Sequence, residues 1–207
     1  FLMGSYAAEE KTALERGEYG PLDKAPQTAL YDYPIKVSEH VYSAIGATQP
    51  PTYENAGHNN NLSFVLGSEA VLVVNGGSNN ALAKALHSEI KKITDLPVKY
   101  VISENGQGHA TYGNHYWKKQ GATLIGHVDA QQQIDEKGFG GLARMREYAK
   151  EFAEDTELTN FDITFDDQYE INLGNLLVIA KEYGSAHSPG DVTVLVPAEK
   201  VVLAGDM

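Results

Sequence analysis

The sequence predicts a layered α/β protein with mixed strand directions, and three observations carry the prediction. Apolar runs come in pairs joined by short polar connections, single stretches of helical periodicity interrupt those pairs, and no glycine-rich fingerprint marks the first strand-to-helix turn. Asn75-Gly76-Gly77-Ser78 is too short a match for a dinucleotide-binding loop, which sets a doubly wound nucleotide fold aside. Sheets covered by helices on their outer faces remain.

Residues 1–35 carry Gly17, Gly20, Pro21, Pro26 and Pro34 among mixed charges and read as an N-terminal arm laid on a single domain over 36–207. Leu62–Leu66 and Ala70–Val74, joined across Gly67-Ser68-Glu69, predict a hairpin. Leu82, Leu86, Ile90 and Ile93 recur at helical spacing, with Asn80 as N-cap and Pro97 at the exit. A buried strand over Val98–Ser103, a loop over Glu104–Gly108 and a short helix over Thr111–Gln120, with Trp117 inward, come next. Thr123–Gly126 returns as a strand and Gly141–Phe152 as a helix. Tyr169–Ile179 folds back over Gly174-Asn175, and Val192–Val196 pairs with Val201–Ala204 across Pro197-Ala198-Glu199-Lys200.

At 207 residues and 42% apolar content the chain buries one substantial core. Its net charge of -12 repels nucleic acid and anionic membrane surfaces over much of its area, so neither is an expected partner. Without cysteine there is no disulfide, no thiolate nucleophile and no Cys-ligated zinc, so any metal rests on His, Asp and Glu. No apolar run approaches the roughly 20 residues that span a bilayer. In Phe1–Ala8, Ser5 and Ala7 stand where small residues precede a signal-peptidase cut, so residues 1–7 read as a signal remnant of a periplasmic or secreted protein. A cloning remnant, with a cytoplasmic protein, is the alternative.

Three segments carry the chemistry: Val101-Ile-Ser-Glu-Asn-Gly-Gln-Gly-His-Ala-Thr-Tyr-Gly-Asn114, Gly184-Ser-Ala-His-Ser-Pro-Gly-Asp191, and the strand leading into Ala204-Gly-Asp-Met207. In that order they resemble the metal-site loops of the metallo-β-lactamase superfamily, over about Val41 to Met207. The resemblance implies an αββα sandwich of mixed sheets. The family's HxHxDH signature falls on Glu104 to His109, with its Gly-Asn on Gly113-Asn114. The resemblance then implies a metal set of Glu104, His109, His187 and Asp206. Gly106 and Gly108 stand at two ligand positions without a donor atom, and Asn75 stands where members carry an aspartate.

Four donors suffice for one divalent ion (zinc, manganese or iron) and are too few for a stable pair. Gly106 and Gly108 also permit positive φ and close approach of a ligand to main-chain N–H groups, which makes them substrate-binding candidates together with His58 of the loop His58–Asn61. Asp191, after Pro189-Gly190, reads as a turn residue, and His40, His87, His115 and His127 as surface or packing groups. The family implies further strands and a last histidine beyond Asp206, so the chain reads as truncated after the Ala-Gly-Asp strand, its fold completed by a C-terminal fragment or a homodimer partner.

Two functions follow from the resemblance. One is metal-dependent hydrolysis of an ester, thioester, lactam or related bond in a small-molecule substrate. The other is a non-catalytic descendant, with no metal, that binds a small molecule or a protein. Metal-free acid–base catalysis by Glu104 and His109 is a third.

Overall fold

Every residue of Val71–Val74 is buried, because this strand has apolar matter on both faces. Leu72 and Val74 point into one core while Val71 and Val73 point into another. The computed structural model describes residues 29–207. In them a large sheet runs β1 (Ile35–Lys36), β2 (Val41–Ala44), β3 (Leu62–Leu66), β4 (Val71–Val74), β5 (Val98–Ile102), β6 (Thr123–His127) and β7 (Ile163–Phe165), in that spatial order. Strands β1 to β4 pair antiparallel and β4 to β7 parallel. The second sheet is wholly antiparallel, with β11 (Val201–Leu203), β10 (Val192–Val196), β9 (Leu177–Glu182) and β8 (Gln168–Asn172) side by side.

The sheets face each other through Val41, Val65, Leu72, Ile102 and Ile125 on one side and Ile171, Val178, Val192 and Val194 on the other. The opposite face of the large sheet is covered by α1 (Asn80–Ile93), whose Leu82, Leu86 and Ile90 meet Phe64, Val73, Val101 and Leu124. The first short helix, α2 (Gly108–Thr111), is followed by α3 (Asn114–Lys119). Trp117 of α3 is fully buried in the same layer and donates its indole N–H to the Gly76 carbonyl at 3.0 Å. Helix α4 (Val128–Ala149) packs beside β6 and β7. On the small sheet the alternate residues Gln168, Glu170 and Asn172 are exposed. The layered sandwich expected from the sequence is the architecture observed.

Several boundaries differ from expectation. The N-cap of α1 is Asn79, whose side-chain oxygen accepts the Leu82 N–H at 2.8 Å. Asn80 instead donates to the Asp155 carbonyl and accepts from the Tyr116 N–H. The helix expected over Thr111–Gln120 is two helices, because Gly113 takes the position where its N–H reaches the Gly77 carbonyl. Helix α4 begins thirteen residues before the expected Gly141. The signal remnant and most of the arm lie outside the described residues. Ala29 and Leu30 are buried in the main core, and Ile35–Lys36 adds an edge strand. No helix among the described residues is long and apolar enough to cross a membrane.

Candidate metal centre

Because β4, β5 and β6 run parallel, their carboxyl ends reach one rim, and the loops that leave them build the site. Asn75 follows β4 with φ of 68°, a left-handed position that asparagine tolerates. Its Oδ1 accepts the Glu104 N–H at 3.0 Å, and the Glu104 carbonyl accepts the Val192 N–H at 2.7 Å. Glu104 is thereby pinned between both sheets. His109 lies in the single turn of α2, and Asp206 follows β11.

His109 Nε2 stands 3.3 Å from Glu104 Oε1 and 3.2 Å from Asp206 Oδ2. The donor atoms of these three residues lie within 4.8 Å of one another. His187, half exposed, approaches Asp206 Oδ2 at 3.7 Å from the rim. Asn105 orients Asp206 by donating from Nδ2 at 3.2 Å. Gly205, at φ of 65°, lets the last loop pass over the Glu104 carboxylate, which a Cβ there would strike.

Electrostatics follow from this crowding. Burial alone would depress the His109 pKa, but the carboxylates of Asp206 and Glu104 outweigh it and hold the imidazole up at about 9. The same pairing with His109 lowers Asp206, against its partial burial. Asp191 is lowered as well: burial opposes, and its carboxylate accepts the N–H groups of Ser188, His187 and Ala186 and the Ser188 hydroxyl. It is the turn residue expected, and it fixes the backbone that presents His187.

Three expectations need correction. Neither Gly106 nor Gly108 has a positive φ. They are glycines because other groups fill their side-chain space: a Cβ on Gly106 would strike the Ala130 carbonyl and Gln133, and one on Gly108 the Tyr112 ring. His58 does not line the cleft. It is wholly buried, accepts the Tyr31 N–H on Nδ1 at 2.9 Å, and burial pushes its pKa down to about 4. The neighbouring Asn59, Asn60 and Asn61 do line a cleft of about 500 Å³ that includes Glu104 and Asp206. His127 is more than a packing group, since it caps α4 by accepting the Asp129 N–H at 3.2 Å. His40 hydrogen-bonds Glu199, while His87 and His115 hydrogen-bond Tyr116 and Asn80 as packing groups do.

A second cleft, of about 420 Å³, opens on the other side of His109. Gln133, Lys137, Gly141, Arg144 and Tyr148 of α4 line it, together with Tyr112. The sequence reading missed them, although they recur every three or four residues beside the buried stripe of Ala130, Ile134, Gly138, Leu142 and Met145.

The residues present fit one divalent ion. His109 Nε2 is buried and, although 3.3 Å from Glu104 and 3.2 Å from Asp206, meets neither carboxylate in hydrogen-bond geometry, so on losing its proton it turns a lone pair toward two carboxylate oxygens. Among the described residues this is the one group of three or more such donors, and positions 106 and 108 supply none for a second ion beside it.

No protein-family profile matches the sequence. Solved structures do match the fold. A metallo-β-lactamase from Pontibacter korlensis aligns with a TM-score of 0.64 at 17% identity, over 82% of this chain and 68% of its own. FEZ-1 metallo-β-lactamase from Legionella gormanii gives 0.58 at 15%, over 79% and 57%. The sec-alkyl sulfatase PisA1 gives 0.63 at 12%, over 87% of this chain and only 34% of that one. The chain thus spans from about a third to about two thirds of the length of the proteins it matches, and the likeness at these identities is one of fold.

Proposed function

From a metallo-β-lactamase fold whose rim gathers Glu104, His109 and Asp206, we propose that this chain binds a single divalent metal ion and hydrolyses an ester, thioester, lactam or related bond in a small molecule. His187 is the fourth ligand in this reading. The observation that carries it is the convergence of a buried imidazole nitrogen, without a well-aligned hydrogen bond, and two carboxylates in the loops that follow β5 and β11. A bound zinc, manganese or iron ion supplies Lewis acidity toward a substrate oxygen. The chain's own residues hold the geometry: Asn75 fixes the Glu104 backbone, Asn105 turns Asp206 inward, and Asp191 locks the turn that carries His187. Such supporting bonds keep ligands from wandering, and their loss weakens metal binding.

A second reading has its own observation. The Tyr112 ring and Gln133 occupy the space in which side chains at 108 and 106 would lie, so this site is built to exclude a dinuclear centre. In a non-catalytic binding protein the charged His109 alone would tie Glu104 to Asp206, with no metal at all.

Metal analysis of protein purified without added metal, combined with thermal unfolding in chelator, separates the two. The first reading expects one equivalent of zinc, manganese or iron, lost in His109→Asn and Asp206→Asn, and a melting temperature that falls on chelation. Substoichiometric metal with a melting temperature indifferent to chelator removes it.

A further inference from the structure

In a protein of net charge -12, the cleft along α4 reverses the local sign. Lys137 and Arg144 stand seven residues apart, two turns along one helix face, and both line it. Among the described residues neither has a carboxylate within 4.0 Å, while the neighbouring acids Asp135 and Glu136 accept from Gln131 and Gln132 instead. Beside them Gln133 Oε1 is buried without a partner, and the half-buried Tyr148 hydroxyl is held protonated, its pKa pushed by burial and by Tyr112 up to about 12. The cleft, about 420 Å³, has the size of a small-molecule site, and His109 stands in its wall.

We propose that Lys137 and Arg144 form the recognition site for an anionic group on the substrate, which makes the substrate a small organic anion. The guanidinium fork of Arg144 takes two oxygens of a carboxylate, sulfate or phosphate monoester, and Lys137 adds a point charge from the preceding turns. With the charged end there, the labile bond faces His109. That placement rests on the hydrolase reading, whereas the binding of the anion does not.

The test is calorimetric binding of 2-naphthoate and its neutral isostere 2-naphthamide to the whole protein, with and without zinc. Variants are Lys137→Gln, Arg144→Gln, the double substitution, and Lys91→Gln on α1 as a distant control. The expected result is a preference of about tenfold for the carboxylate, a loss of about five- to tenfold per cleft substitution, and no change in the control. Circular dichroism establishes that each variant is folded. Equal affinity for the two probes, or undiminished naphthoate binding in the folded double variant, overturns the proposal. Naphthoate binding that persists in protein unable to take up zinc, manganese or iron removes the hydrolase and upholds the anion site.

Discussion

In the proposed metal site an ion and a proton compete for the one lone pair of His109 Nε2. Held up at about 9 by Asp206 and Glu104 against its burial, the metal-free imidazole is charged at neutral pH. Metal uptake at pH 7 is therefore expected to release about one proton and to tighten as pH rises toward 9, with release vanishing by about pH 10. Zinc titrations in buffers of different ionisation enthalpy read this directly, and a proton count near zero at pH 7 contradicts it. At this scale the sequence was partly legible. His109, Glu104 and Asp206 stand at fixed places in a motif, and the structure gathers them. Gly106 and Gly108 showed only as missing donors, because the groups that fill their space, Tyr112 and Gln133, belong to no motif. His58 was misplaced because a polar run reads as a solvated loop, and only the fold shows its ring sealed beneath Tyr31.

Helix α4 holds the elements' clearest departure from their local signals. Gly138, Gly140 and Gly141 interrupt its middle, and glycine's poor helix propensity is why the sequence yields a helix only from Gly141 onward. The structure assigns different reasons to these glycines. The Tyr112 hydroxyl donates to the Gly138 carbonyl at 3.2 Å and sits where a Cβ on Gly141 would fall, whereas Gly140 faces open space. Gly140→Ala is therefore expected to stabilise by up to about 1 kcal/mol through propensity. Gly141→Ala, with the same gain on offer, should destabilise by about 1–3 kcal/mol because Tyr112 must move. Urea unfolding of the two variants decides, and equal effects would dismiss the contact. Strands β1 and β7, of two and three residues, escaped notice because so few positions show no alternation. The paired runs β3–β4 and β10–β11 were legible because their turns and patterns agree.

Across the molecule two histidines pull the pH dependence of metal-free stability in opposite directions. His58 is buried neutral, its pKa lowered from 6.5 to about 4, so the unfolded chain binds the extra proton between those values. Stability is complete above pH 6.5 and falls on acidification toward 4, by an amount on the order of 3 kcal/mol. His109 is raised from 6.5 to about 9, so its contribution is complete below pH 6.5 and disappears as pH climbs through 9. Chemical denaturation of chelated protein across pH 4 to 10 is expected to show a maximum near pH 6.5. A flat alkaline limb would contradict the ion-pair role of His109. The parallel run of β4, β5 and β6 has one further consequence. Those strands are held by their flanks, on which Leu72, Val73, Val101 and Leu124 lie, while Asn75, Glu104 and His109 lie in the loops beyond their tips and Asp206 reaches them from the other sheet. The candidate donors in those loops are thus decoupled from cohesion below, so they are open to exchange one by one on an unchanged foundation.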